Sequence, residues 1–363
     1  MGKKRIALLY GGKSKEHDVS RRSAASVVSH IDTERFEPIL IGITGKGKWY
    51  YQETDNGQDW IGKDDSLKIE VKNENTISVI PAEGLMLAGK KVKIDCVFPV
   101  LHGSFGEDGT VQGLLEIAGI PYVGSGVLGS SLSMDKEKAK RIWLEYRLPV
   151  VPFRSITAAE AAGSEYQKQF LDEAAQKFGY PVFVKPAAAG SSVGVTSAHS
   201  RKELTTALET ALRYDTKAIL EPAVKAAEIE CSVVGNGFVQ SFPPGEVRPT
   251  HDFYDYDAKY EDPEGAALFV PADIPAEAAK KIQTIAEKAY KAVDAAGFSR
   301  VDVFYNRETG DIFINEINTI PGFTSISMFP RLCEYGGLHY SDLISKLIEL
   351  AWEQAGEKEK VEF

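Results

Sequence analysis

The chain has 363 residues, 43% of them apolar and 26% charged, with a formal net charge of −10. That supports two or three domains with sizeable cores, and the acidic balance excludes bulk attraction to nucleic acid, leaving only local basic pockets for small anions. Cys96, Cys231 and Cys333 form no C-x-x-C pair and read as small buried residues in a reducing compartment.

The opening "MGKKRIALLYGG" turns apolar for only five residues, Ile6 to Tyr10, too short for a secretory core. No stretch is long and apolar enough to span a bilayer, so a cytoplasmic protein without membrane insertion is expected. "RIALLYGG" reads as a buried strand ending at a glycine turn, "HDVSRRSAASVVSHI" as a helix, "FEPILIGI" as a strand and "KIDCVFPVLHG" as a third strand. "TVQGLLEIAGI" is a helix closed by Gly119. This alternation predicts a parallel α/β sheet, with ligand loops beyond the carboxyl ends of its strands.

A second unit starts near "YVGSGVLGSSLSMDKEKAKRIW", where Ser133 is a candidate helix cap with Asp135 and Glu137 in the first turn. "YPVFVKP", a glycine-serine loop and "AILEPAV" follow. A third unit begins near "IECSVVGNGFVQSF". Its stretch from Pro243 to Pro263 lacks periodicity and reads as a mobile loop with an aromatic lid, "FYDYDAKY". "RVDVFYN", "DIFINEIN" and the amphipathic helix "YSDLISKLIELAWEQA" close the unit, and the tail "GEKEKVEF" reads as frayed. The expected boundaries are 1–125, 126–225 and 226–363, with the mobile loop at about 243–263.

The carboxylates carry the clearest chemistry. "SRVDVFYN" and "INEIN" fit a β-hairpin that puts Asp302, Glu316 and Asn318 side by side, Glu316 and Asn318 sharing one strand face. Three hard oxygen ligands on one face suit Mg²⁺ held with phosphates; an ordinary solvated strand face has the same alternation. In "VFVKPAAAGSSVGV", Lys185 ends a strand, and the loop with Gly190, Ser191, Ser192 and Gly194 lets backbone N–H groups approach phosphate oxygens, or is simply a hairpin tip. It lacks the G-K-[ST] of a Walker loop, and no G-x-G-x-x-G follows the first strand. "LHGSFGEDGT", with His102, Glu107 and Asp108, and "YGGKSKEHDVS", with Glu16, His17 and Asp18, stand where a parallel sheet places ligand loops; each also reads as a turn and helix cap. The six histidines show no zinc spacing, and no G-x-S-x-G elbow is present.

Taken in order, "GGKSKEHDVS", "HGSFGEDGT", "SMDK", "FVKPAAAGSSVGV", "YDYDAKY", "RVDVF" and "NEINTIPGFTSIS" resemble the D-alanine–D-alanine ligase family of the ATP-grasp superfamily over nearly the whole chain. The resemblance implies a three-domain α/β and α+β fold: an N-terminal Rossmann-like parallel sheet and two α+β halves that clamp ATP. It implies ATP-dependent joining of two D-alanines through an acylphosphate, for peptidoglycan precursors. Asp302, Glu316 and Asn318 would hold two Mg²⁺ ions, with Mn²⁺ able to substitute. Arg300 and the Gly322 N–H would form an oxyanion site, and Ser327 would bind the second substrate's carboxylate. Lys136, Lys185, Ser192 and Lys259 would hold phosphates, Glu221 the adenine side and Glu228 the ribose. Glu16 would bind the first ammonium, joined by Ser191 and Tyr260, and His102 would touch substrate. Tyr260 favours an amine nucleophile over D-lactate; a D-alanine–D-lactate ligase or another ATP-grasp carboxylate–amine ligase is the alternative. A homodimer is also implied.

Overall fold

The computed structural model describes residues 2–53, 60–249 and 266–362. Strands β1 (Lys4–Gly11) and β2 (Phe36–Ile43) pair in parallel from Lys4–Phe36 to Gly11–Ile43. Both are almost wholly buried, as continuous apolar runs in a covered parallel sheet should be. The short edge strand β3 (Trp49–Tyr51) runs antiparallel to β2. Strands β4 (Ile77–Ile80), β5 (Gly84–Leu87) and β6 (Lys90–Lys91) form a separate antiparallel sheet. Strand β7 (Cys96–Pro99) then returns parallel to β1, giving the order β3-β2-β1-β7. Because β1 and β7 are neighbours, the loops after them meet. The helix Thr110–Ala118 ends at Gly119 in the left-handed region, as its sequence requires.

The next sheet is antiparallel, built from β8 (Arg154–Thr157), β9 (Val182–Pro186), β10 (Thr196–Ala198) and β11 (Lys217–Pro222) in the order β10-β9-β11-β8. The last sheet contains β12 (Ala227–Gly235), β13 (Val239–Ser241), β14 (Gly245–Pro249), β15 (Ala266–Phe269), β16 (Phe298–Tyr305) and β17 (Ile312–Asn318). Its order is β15-β14-β12-β16-β17, with β13 also paired to β12.

Three local expectations need correction. Ser133 lies inside the helix Val127–Met134, and the cap of the following helix, Lys136–Glu145, is Asp135, whose carboxylate accepts the Lys138 N–H. A carboxylate there satisfies an orphan donor and faces the positive helix end. The supposed loop from 243 begins with a strand, because pairing to β12 and β15 supplies the backbone partners that local periodicity does not reveal. The closing helix runs from Tyr340 to Lys358 and takes in Gly356 to Lys358 of the supposed frayed tail. The three cysteines are buried and free. Among the described residues no helix is long and apolar enough to cross a membrane.

The cores cross the sequence order. Ile6, Leu8 and Tyr10 of β1 share one apolar cluster with Phe298, Phe323 and Phe329 and with Leu343, Ile344, Leu347 and Ile348 of the last helix. The sheet β8–β11 has its own cluster around Ile156, Leu171, Val184 and Leu204. Trp143, fully buried on the helix Lys136–Glu145, packs with Ile229, Val301 and Ile314 of the last sheet.

Candidate active site

Strands β12, β16 and β17 lay three carboxylates in one row. Glu230 stands opposite Asp302, and Asp302 opposite Glu316. A bulge creates the second pairing. Below it Val303 faces Ile314, a register that would set Asp302 against Asn315 and turn Glu316 toward the core. One extra residue at Asn315 re-aims Glu316 and Asn318 onto the face of Asp302 and Arg300, while Ile314 and Ile317 stay buried. The hairpin expected from sequence is therefore present, and Asn318 Nδ2 donates to Asp302 Oδ2 at 3.0 Å.

Cationic side chains hold these oxygens. Arg300 donates from Nε and Nη2 to the two oxygens of Asp302, each at 2.7 Å, and its Nε lies 3.1 Å from Glu230 Oε2. Burial opposes the guanidinium charge, but Asp302 and Glu230 outweigh it and raise the Arg300 pKa. Lys136 Nζ lies 3.1 Å from Glu316 Oε2 and donates to the Ala189 carbonyl at 2.9 Å. Among the described residues no three acidic, histidine or cysteine side chains form a ready metal cluster. The donor set Asp302, Glu316 and Asn318 nevertheless has the hard-oxygen chemistry of a Mg²⁺ site. A divalent ion would exchange with Arg300 and Lys136 for their carboxylates.

Two cavities meet at this row. One is lined by Lys136, Lys185, Ser191, Ser192, Glu221, Glu228, Glu230, Asp302 and Glu316, with Phe183, Val195 and Ile229 among its apolar walls. Beyond it, Lys185 Nζ is 2.6 Å and Lys140 Nζ 2.7 Å from the two oxygens of Glu221. Burial favours a protonated Glu221, but the two ammonium groups overcome it and hold its pKa down to about 2. The Glu221 carboxylate is thus committed to lysines, and through it Lys185 is fixed in the wall. The loop between β9 and β10 carries Ser191 and Ser192 at φ of 50° and 57°, a backbone region that non-glycine residues seldom occupy and that concentrates at ligand sites.

The second cavity is lined by Glu16, His102, Glu107, Ser191, Glu230, Arg300, Glu316, Asn318, Gly322 and Ser327. It shares Ser191, Glu230 and Glu316 with the first. Glu16 follows β1 and receives a hydrogen bond from Ser191 Oγ at 2.5 Å. Gly103, after β7, has φ of +72°, and a Cβ there would stand 2.3 Å from Glu16 Oε2, so only glycine fits beside that carboxylate.

The turn at Pro321–Gly322 is fastened to the N-terminal loops. Glu107 accepts the Ile320 N–H and the Gly103 N–H, both at 2.8 Å. Desolvation and the nearby Glu16 push the Glu107 carboxyl up to about 8. His102 Nδ1 donates to the Ile320 carbonyl at 2.8 Å, leaving Nε2 to accept from Ser23 Oγ at 3.0 Å. Burial lowers the pKa of this ring and keeps it neutral. His102 borders the cavity, and both its ring nitrogens have protein partners, Ile320 and Ser23. Ser327 Oγ accepts the Thr324 N–H at 3.1 Å and lies 2.7 Å from Thr324 Oγ1.

Matches to known families extend over both cavities. The family model described as D-ala D-ala ligase N-terminus matches residues 5–125, and the D-ala D-ala ligase C-terminus model matches residues 142–349. The chain belongs to the D-alanine–D-alanine ligase family. A D-alanine–D-alanine ligase of Treponema denticola is 46% identical over 352 residues, 95% of each chain, and one of Shouchella clausii is 44% identical over 98% of this chain and 96% of its own. Among solved structures, the Coxiella burnetii D-alanine–D-alanine ligase superposes with a TM-score of 0.83 at 34% identity, covering 99% of this chain and 96% of that one. The VanG D-Ala:D-Ser ligase of Enterococcus faecalis gives 0.84 at 37%, covering 96% and 100%. The fold is therefore that of the ATP-grasp ligases.

Of the residues singled out from sequence for this ligase family, all but Lys259 and Tyr260 line one of the two cavities; those two lie outside the described residues. Sequence reasoning passed over Glu230 and Lys140 and gave Glu107 no role. Glu230 had a signal: it stands two residues from Glu228 on a strand, hence on the same face.

Proposed function

We propose that this protein joins two molecules of D-alanine into D-alanyl-D-alanine, converting ATP to ADP and phosphate, for peptidoglycan precursors. The observation that carries the reading is the meeting of two cavities at one carboxylate row, with phosphate-binding chemistry on one side and amino-acid-binding chemistry on the other. Family membership over nearly the whole chain supports the same activity.

The first cavity takes the nucleotide. Lys136, Lys185 and Ser192 face its phosphates, Glu228 its ribose and the wall beside Glu221 its base. Among the described residues five carboxylates and two lysines line this cavity, so a polyphosphate needs cations to enter. Asp302, Glu316 and Asn318 would hold two Mg²⁺ ions, or Mn²⁺ in their place. When bound, these ions neutralise charge on the transferring phosphoryl group.

In the second cavity Glu16 holds the ammonium of the first D-alanine. The carboxylate of that substrate attacks the γ-phosphorus, ADP departs, and an acylphosphate forms. The amine of the second D-alanine, placed by Ser327 through its carboxylate, then attacks the acyl carbon; it gives up a proton and phosphate leaves. Arg300 and the Gly322 N–H face the oxygen on which charge develops. Ser191 ties Glu16 to the nucleotide loop, and Lys259 and Tyr260 complete the closure that keeps water from the acylphosphate.

The division at 125/126 and 225/226 is part of this proposal, although Trp143 packs with the C-terminal sheet. So are a cytoplasmic location and a homodimer, the latter supported by exposed Leu114, Ile117, Val127 and Leu128 on neighbouring helices and tested by light scattering in solution.

A second reading keeps the site and changes the second substrate to a D-hydroxy acid or D-serine; the likeness to a D-Ala:D-Ser ligase favours D-serine. Mass spectrometry separates them. Protein, ATP, Mg²⁺ and D-alanine are incubated alone or with equimolar D-serine or D-lactate. D-alanyl-D-alanine as the main product in every tube, with ADP formed in step, supports the first reading. A mixed product supports the second, and ADP without either product counts against both.

A further inference from the structure

Among the described residues Lys140 is the largest charged side chain that is fully buried, with no exposed surface. It lies one helical turn beyond Lys136 on the helix Lys136–Glu145, and it does not line the nucleotide cavity. Its ammonium faces Glu221 Oε1 at 2.7 Å, while Lys185, on the cavity side, takes Oε2 at 2.6 Å. A buried lysine is costly, and a lone carboxylate shared with a second lysine is a poor reason for one. Nor is the contact a well-aligned hydrogen bond: neither Lys140 Nζ nor Glu221 Oε1 has a hydrogen-bond partner of good geometry. What Lys140 contributes is charge.

Without Lys140, Glu221 and Lys185 would cancel, leaving a wall dominated by the remaining carboxylates. Lys136 is already matched against Glu316. With Lys140, the Lys140–Glu221–Lys185 triad carries one net positive charge, and Lys185 presents it to the cavity. Low local polarity makes that charge act more strongly than a surface lysine.

We propose that Lys140 is a positioning residue that neutralises Glu221 from behind, freeing Lys185 to act on the phosphates of a nucleotide. The proposal rests on the nucleotide reading of this cavity. It predicts an effect that scales with the number of phosphates and leaves the nucleoside untouched.

The test is calorimetric binding of ATP, ADP, AMP and adenosine at saturating Mg²⁺ without D-alanine, to wild type, Lys140→Met and the double variant Lys140→Met/Glu221→Gln. Expected for Lys140→Met is ATP binding weakened roughly tenfold, ADP and AMP progressively less, and adenosine within about twofold. The double variant, in which Lys185 again carries a net positive charge, should recover most of the ratio of ATP to adenosine affinity. Equal weakening of all four ligands with no recovery would make Lys140 a packing residue and overturn the proposal. So would an unchanged ATP to adenosine ratio in Lys140→Met while wild type binds ATP. A wild type that binds none of the four ligands would instead overturn the nucleotide reading, and the role of Lys140 with it.

Discussion

Asp302 and Glu316 face each other across β16 and β17 only because the bulge at Asn315 adds one residue to the pairing. Paired regularly, with no bulge, Asn315 would stand opposite Asp302 and Glu316 opposite Val301, on the core face. Replacing Glu316 by alanine keeps the register and removes the ligand. Turnover should fall by roughly two orders of magnitude or more, with the melting temperature little changed. Near-normal steady-state turnover in Glu316→Ala would remove Glu316 from the metal site.

Glu16 and Ser191 join the N-terminal loop to the nucleotide loop through one hydrogen bond. Glu16→Gln keeps the shape but loses the charge that meets an ammonium. The KM for the first D-alanine should rise roughly tenfold or more while the KM for ATP stays put. Parallel rises in both constants would mean that Glu16 serves the fold rather than the amino acid.

Glu107 gives a pH signature. Its folded pKa, about 8, lies above the ordinary carboxyl value of 4.5. Between these values the folded chain keeps a proton that the unfolded chain has lost. Its stabilising contribution is therefore complete below about 4.5 and disappears as the pH rises through 8. Melting curves from pH 5 to 8.5 should fall more steeply for wild type than for Glu107→Gln. Identical slopes would show that Glu107 ionises normally.

Phe323, next to Gly322, packs edge-on to Phe98 and Phe298, with ring centroids 5.8 and 5.7 Å away, and its N–H reaches Ser23 Oγ at 3.3 Å. Phe323→Ala should cost about 3–5 kcal/mol of stability and should slow dipeptide formation in the fraction that remains folded, since the turn loses its anchor. Urea unfolding and turnover per folded molecule measure the two effects separately.

Much of this was legible in the residues. "FEPILIGI" could be delimited to the residue because a buried parallel strand is a continuous apolar run with sharp polar edges. Asp302, Glu316 and Asn318 could be grouped because strand periodicity acts over short distances. The bulge could not, because it depends on which register buries Ile314 and Ile317. Nothing local in "KEKAKRIW" marks Lys140 for burial, because its partner Glu221 stands 81 residues later. Strand β14 was missed because Gly245–Pro249 is bracketed by turn formers and is made a strand by its neighbours.

The apolar cluster shared by β1 and the final helix has a consequence for how the chain is made. Ile6, Leu8 and Tyr10 leave a ribosome long before Leu343, Ile344, Leu347 and Ile348, which cover the same core. The first sheet must therefore wait, with that face only partly covered by Ala24, Val27 and Val28, until the helix Tyr340–Lys358 has been made. The self-contained sheet β8–β11 has no such delay. A nascent chain stalled before residue 340 would present a sticky, half-finished surface, the kind that chaperones hold, even though the middle of the molecule had already folded.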